Sequence, residues 1–107
     1  MTVPSGDSPI PPGVAVELRR MVERWQQLPL DHALSRSPAV CEAVQRLADR
    51  AAVAGGHPDG APPVPDLGPA VLMDQLTVVV HDVCALSPRR EDADVAALLT
   101  GIRHAVG

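Results

Sequence analysis

The run from Leu72 to Leu86 reads LMDQLTVVVHDVCAL, and the fold turns on whether it is a strand or a helix. Val78, Val79 and Val80 follow Leu76 and Thr77, and such β-branched residues suit a buried strand. The apolar positions argue otherwise. Leu72, Leu76, Val79, Val83 and Leu86 recur in steps of four, three, four and three, which places them on one face of a helix. No second run in the chain has the character of a strand that could pair with this one. The spacing therefore predicts a helix over 67–86.

Working outward, the same arithmetic recurs three times. Val14, Leu18, Met21, Trp25 and Leu28 follow it, as do Val40, Val44, Leu47, Ala51 and Ala54, and again Val95, Leu99, Ile102 and Val106. Four apolar seams with a period near 3.5 are what helices crossing at a shallow angle require. The expected fold is all-α: an antiparallel up-down-up-down four-helix bundle with helices near 14–28, 38–54, 67–86 and 89–106. Residues 14–107 form the domain, and the Pro-rich stretch 1–13 is expected to be a disordered arm.

Local punctuation fits this division. Ser37-Pro38 and Ser87-Pro88 each place an N-cap residue before a proline at the first helical position. Asp66 can open the third helix, and Gly55-Gly56 can stop the second. Pro29 ends the first helix, and Leu30 to Ser35 can add one turn beyond it.

Composition narrows the function. The chain has 107 residues, 46% of them hydrophobic, with Trp25 as its only aromatic residue, so the core must be aliphatic. All nine basic residues are Arg and the net charge is −4, which offers no field to attract nucleic acid. Asp74, His81 and Asp82 interrupt the most apolar run, so no membrane span is expected. The N-terminus lacks the features of a signal peptide, and two cysteines are too few for a secreted disulfide framework. The expected location is cytoplasmic.

Candidate sites are few. If the second and third helices formed an antiparallel hairpin, Val44 would face Val83, Leu47 would face Val79 and Ala51 would face Leu76. That register brings Cys41 into the layer of Cys84, beside Trp25, with His81 one turn away on the same helix. Cys41, His81 and Cys84 are thus the residues for a metal, redox or small-molecule site, although spacing supplies no fourth ligand and no bound metal or cofactor is expected. The chain has no nucleophile elbow, phosphate-cradling glycine loop or His-Glu zinc-helix motif, so no catalytic residue is assigned.

Between the second and third segments, GGHPDGAPPVP (residues 55–65) contains His57-Pro58-Asp59. The tripeptide resembles the signature of J-domain co-chaperones, which lies between two antiparallel helices after a basic helix. Here the preceding segment mixes acids with its arginines and lacks lysine. Gly, Pro and Asp are also the ordinary residues of a turn, and the expected role of 55–65 is a connector.

Together these readings favour a small non-enzymatic interaction module, an adaptor or regulator acting through protein–protein contacts or as a homodimer. Val22, Val78 and Leu98, apolar but off the seams, are its candidate contact residues. The alternative is a metal- or small-molecule-binding bundle built on His81, Cys84 and Cys41.

Overall fold

A computed structural model of the chain describes residues 10–86 and 92–107. Among the described residues four helices follow one another: α1 Pro12–Gln27, α2 Leu30–Ala54, α3 Pro69–Leu86 and α4 Asp92–Val106. The valine-rich tract is helical throughout α3. Every seam is buried for most of its length: Val14, Leu18, Met21 and Trp25 on α1; Val40, Val44, Leu47 and Ala51 on α2; Leu72, Leu76, Val79 and Val83 on α3; Val95, Leu99, Ile102 and Val106 on α4. Among the described residues no polar or charged side chain is buried. The all-α four-helix bundle is thus formed, and its core rests on aliphatic burial.

The order of directions differs from the expected up-down-up-down arrangement. Glu17 meets Thr100 and Arg103, and Arg24 meets Gly107, so α1 and α4 ascend together. Trp25 Nε1 donates to Pro69 O at 3.0 Å, which sets the start of α3 beside the end of α1. At the other end, a Cβ placed on Gly55 would lie 3.7 Å from Leu86 Cδ1, so α2 and α3 finish side by side. Helices α2 and α3 are therefore parallel, and the four run up, down, down, up.

The cause is the connector. Fourteen residues separate Ala54 from Pro69, and at about 3.1 Å per extended residue they can reach roughly 40 Å. That exceeds the length of α2 from Pro38 to Ala54, about 24 Å at 1.5 Å per residue. Pro58, Pro62, Pro63 and Pro65 keep the segment from extending either helix. It returns along α2 as an extended strap, the long crossover that such bundles use to make successive helices parallel.

Helix boundaries shift for identifiable reasons. Pro38 lies inside α2, so Ser37-Pro38 is not its cap; the helix starts at Leu30, where Ala33 N donates to Pro29 O at 2.9 Å. Pro38 cannot donate to Leu34 O, and Ser37 Oγ instead donates to Ala33 O at 2.8 Å, a pairing that bends helices. In the preceding two turns His32 Nε2 lies 2.8 Å from Val106 O at the end of α4, only Ala33 is buried, and Leu30 and Leu34 are 67% and 52% exposed. Helix α1 begins at Pro12, within the stretch expected to be an arm, and Ile10 packs on the core. The rest of that arm and the Ser87-Pro88 cap lie outside the described residues.

The apolar length of α3 is greater than the sequence reading allowed. Its 18 residues, with a mean hydropathy of 1.4, are long and apolar enough to span a bilayer by length and composition alone. Here that apolar surface is divided. Leu72, Met73, Leu76, Val79, Val80 and Val83 face the core, while Asp74, His81 and Asp82 are exposed.

Candidate functional site

One concavity among the described residues follows from the ring in which the helices pack. Helices α1 and α3 are neighbours, yet they pack far more loosely than α1 with α4 or α2 with α3. Near the end of α1, where α2 begins and α3 starts, a groove of about 540 Å³ opens between them. Trp25 and Met73 form its floor, both more than nine-tenths buried. Val22 and Ala33 add to the walls, and Leu30 and Leu67 stand at its margin, 67% and 57% exposed. The tryptophan is fixed by its bond to Pro69 O, which satisfies the indole N–H without water. Thr77 lines the groove too, but its hydroxyl is spent on Met73 O at 2.8 Å.

Asp74 is the charged residue of the lining. Asp66 accepts from Gly68 N at 3.1 Å, and Gly68 lines the groove with a φ of +93°, a conformation that favours glycine. Asp31, adjoining Leu30, accepts from His32 N at 2.9 Å. Among the described residues none of these three carboxylates has an ion-pair partner; the pairs are Glu17 with Arg20 and Arg103, and Glu42 with Arg46.

The strap is held by side chains that the sequence reading passed over. The end of α2 is closed by Gly56 at φ +97°, with Gly56 N donating to Val53 O at 3.1 Å and His57 N donating to Ala52 O at 2.8 Å. His57-Pro58-Asp59-Gly60 is a turn closed by Gly60 N to His57 O at 3.0 Å. Asp49 Oδ1 then accepts from Ala61 N at 2.9 Å, and Gln45 Oε1 accepts from Val64 N at 2.7 Å. Gln45 Nε2 donates to Asp49 Oδ1 at 3.2 Å and to Pro62 O at 3.3 Å, and Gln75 Nε2 donates to Pro65 O at 2.9 Å. The tripeptide thus sits in a turn that begins an anchored connector. Gln45 and Asp49 stand four apart beside the α2 seam, the only hint that they act together.

The register proposed for the thiols is not formed. With α2 and α3 parallel and Leu86 beside Gly55, Cys84 stands near the level of Val53, twelve residues along α2 from Cys41 and about 18 Å away at 1.5 Å per residue. A disulfide needs Cα atoms within about 7 Å, and neither cysteine forms one. Burial pushes the Cys41 thiol above its ordinary pKa and the negative charge of Asp66 adds to the shift, so the thiolate is disfavoured. His81 is exposed. Among the described residues no three His, Cys, Asp or Glu side chains gather closely enough to hold a metal ion. Trp25 keeps its expected place in the core but shares its layer with the start of α3 instead of with both cysteines.

The chain matches no family profile, no curated protein and no solved structure. The geometry of its own surface is therefore what bears on function. Of the three contact residues expected from the sequence, Val22 is half-buried in the α1–α3 groove. Val78 is 58% exposed on α3. Leu98 is half-buried in a separate hollow of about 310 Å³ between α2 and α4, beside Ala43, Ala97 and Gly101. The exposed apolar side chains that flank the groove, Leu30 and Leu67, escaped the sequence reading because each lies in a segment taken for a connector or a helix end.

Proposed function

We propose that this chain is a small, non-enzymatic helical interaction module that works through protein–protein contacts, with the α1–α3 groove as its contact surface. The observation that carries the reading is the apolar trough over Trp25 and Met73 with Leu30 and Leu67 left exposed at its margin. Covering such a leucine releases roughly 1–2 kcal/mol that the isolated fold forgoes. A trough between two helices is also the shape that receives a third helix laid lengthwise.

Trp25 is the only aromatic residue and lies in the floor, so its fluorescence reports on the groove alone. Titrating a synthetic helical peptide of about 16 residues with a leucine stripe should give a saturable change in Trp25 emission. Leu30→Asp combined with Leu67→Asp should abolish that change, whereas Val53→Asp, at an exposed site on the far end of α2, should preserve it. Binding that ignores the groove substitutions would contradict the reading.

A further inference from the structure

We infer that the segment received by the α1–α3 groove is an amphipathic helix whose flanks carry lysine or arginine. This rests on the reading of the groove as the contact surface. Two features of the groove specify the occupant. Val22 and Gln26 on α1, and Ala70, Asp74 and Thr77 on α3, line it at helical intervals of three and four, so its walls run along the helices and admit a rod. Asp74 stands in the lining of that trough, Asp66 accepts from Gly68 N of the lining, and Asp31 follows Leu30 in the chain; all three are exposed and have no ion-pair partner among the described residues.

The charges decide between otherwise equivalent helices. An apolar helix seated over Trp25 excludes water from beside these carboxylates, which is unfavourable unless something replaces it. Cationic side chains flanking the leucine stripe supply the replacement, and their exposed position makes the attraction sensitive to salt. An acidic helix meets like charge. The hollow between α2 and α4 differs in this respect, since the Glu42 and Arg46 that line it already pair with each other at 3.1 Å.

The test compares three peptides of about 16 residues with one leucine stripe and flanks of Lys, Gln or Glu, each titrated at low salt against Trp25 emission in the full chain. The Lys peptide should bind about tenfold more tightly than the Gln peptide, and the Glu peptide more weakly than either. Asp74→Asn should reduce the preference for Lys over Gln by about threefold without changing the thermal midpoint. Equal binding of the three peptides at the groove overturns the charge inference and leaves the groove reading standing. Failure of all three to bind, or binding that survives Leu30→Asp with Leu67→Asp, overturns the groove reading itself. Sedimentation showing a dimer that the same double substitution dissociates makes a second copy the occupant and overturns the inference.

Discussion

Replacing Asp49 with alanine should loosen the strap and destabilise the bundle without touching its apolar core. Asp49 is half-buried, and its Oδ1 accepts from Ala61 N at 2.9 Å and from Gln45 Nε2 at 3.2 Å. A hydrogen bond to a charged group contributes about 1.5–3 kcal/mol, and partial exposure places this pair at the lower end, so Asp49→Ala should cost roughly 1.5 kcal/mol. For a domain of this size that lowers the thermal midpoint by roughly 6–12 °C. Asp49→Asn keeps an acceptor oxygen and should cost about 0.5 kcal/mol, while Asp82→Ala, on an exposed face of α3, should stay within about 0.5 kcal/mol of the parent. Urea unfolding followed by circular dichroism measures all three. Because Gln45 bonds both Asp49 and the strap, a double-mutant cycle with Gln45→Ala should show coupling of about 0.5–1 kcal/mol. An Asp49→Ala protein as stable as the parent, or a cycle with no coupling, would refute the idea that these side chains hold the strap.

Other consequences are more local. Leu47 is fully buried, and Leu47→Ala should cost about 2–5 kcal/mol in the same unfolding assay. The Thr100 hydroxyl holds the Glu17 carboxyl below the usual carboxylate range; partial burial opposes it, and the Arg20 and Arg103 charges add to it. Since the folded pKa is the lower one, this contribution is complete above the unfolded pKa and is lost as pH falls through the folded value. Glu17→Gln should therefore flatten the acid limb of the stability profile, and an unchanged limb would contradict the assignment. Cys41, half-buried and with its pKa raised first by burial and then by Asp66, should be alkylated more slowly at mildly alkaline pH than the same thiol in denaturant, and Asp66→Asn should narrow the gap.

Much of the architecture was legible because seam burial is a local consequence of spacing. Leu72, Leu76, Val79 and Val83 sit where a period near 3.5 puts them, and that period outweighs the strand preference of three successive valines. Direction was not legible in the same way. A seam shows which face is buried but not which end meets which, and the hairpin register placing Cys41 opposite Cys84 assumed a short return. The information lay in the connector, whose prolines and length permit a crossover and whose Ala61 and Val64 amides find partners on α2.

The site was legible only in part. Val22 belongs to the groove, but Leu30 and Leu67 draw their meaning from α1, α2 and α3 converging at one end of the bundle. The helical start at Leu30 was concealed by Ser37-Pro38, which carries the pattern of a helix cap. In the folded chain Ser37 turns its hydroxyl back to Ala33 O, and the helix continues through the proline.

The parallel course of α2 and α3 is tested most directly by the distance between Val53 and Leu86, both about half exposed and thus open to labelling. Spin labels on Val53→Cys and Leu86→Cys, with Cys41→Ala and Cys84→Ala in the background, report it by electron paramagnetic resonance. With α2 and α3 ending side by side the labels should broaden each other strongly, at a separation below roughly 15 Å. A separation beyond about 25 Å, the length of α3 itself, would mean that the two helices run in opposite directions and that the strap does not cross the bundle.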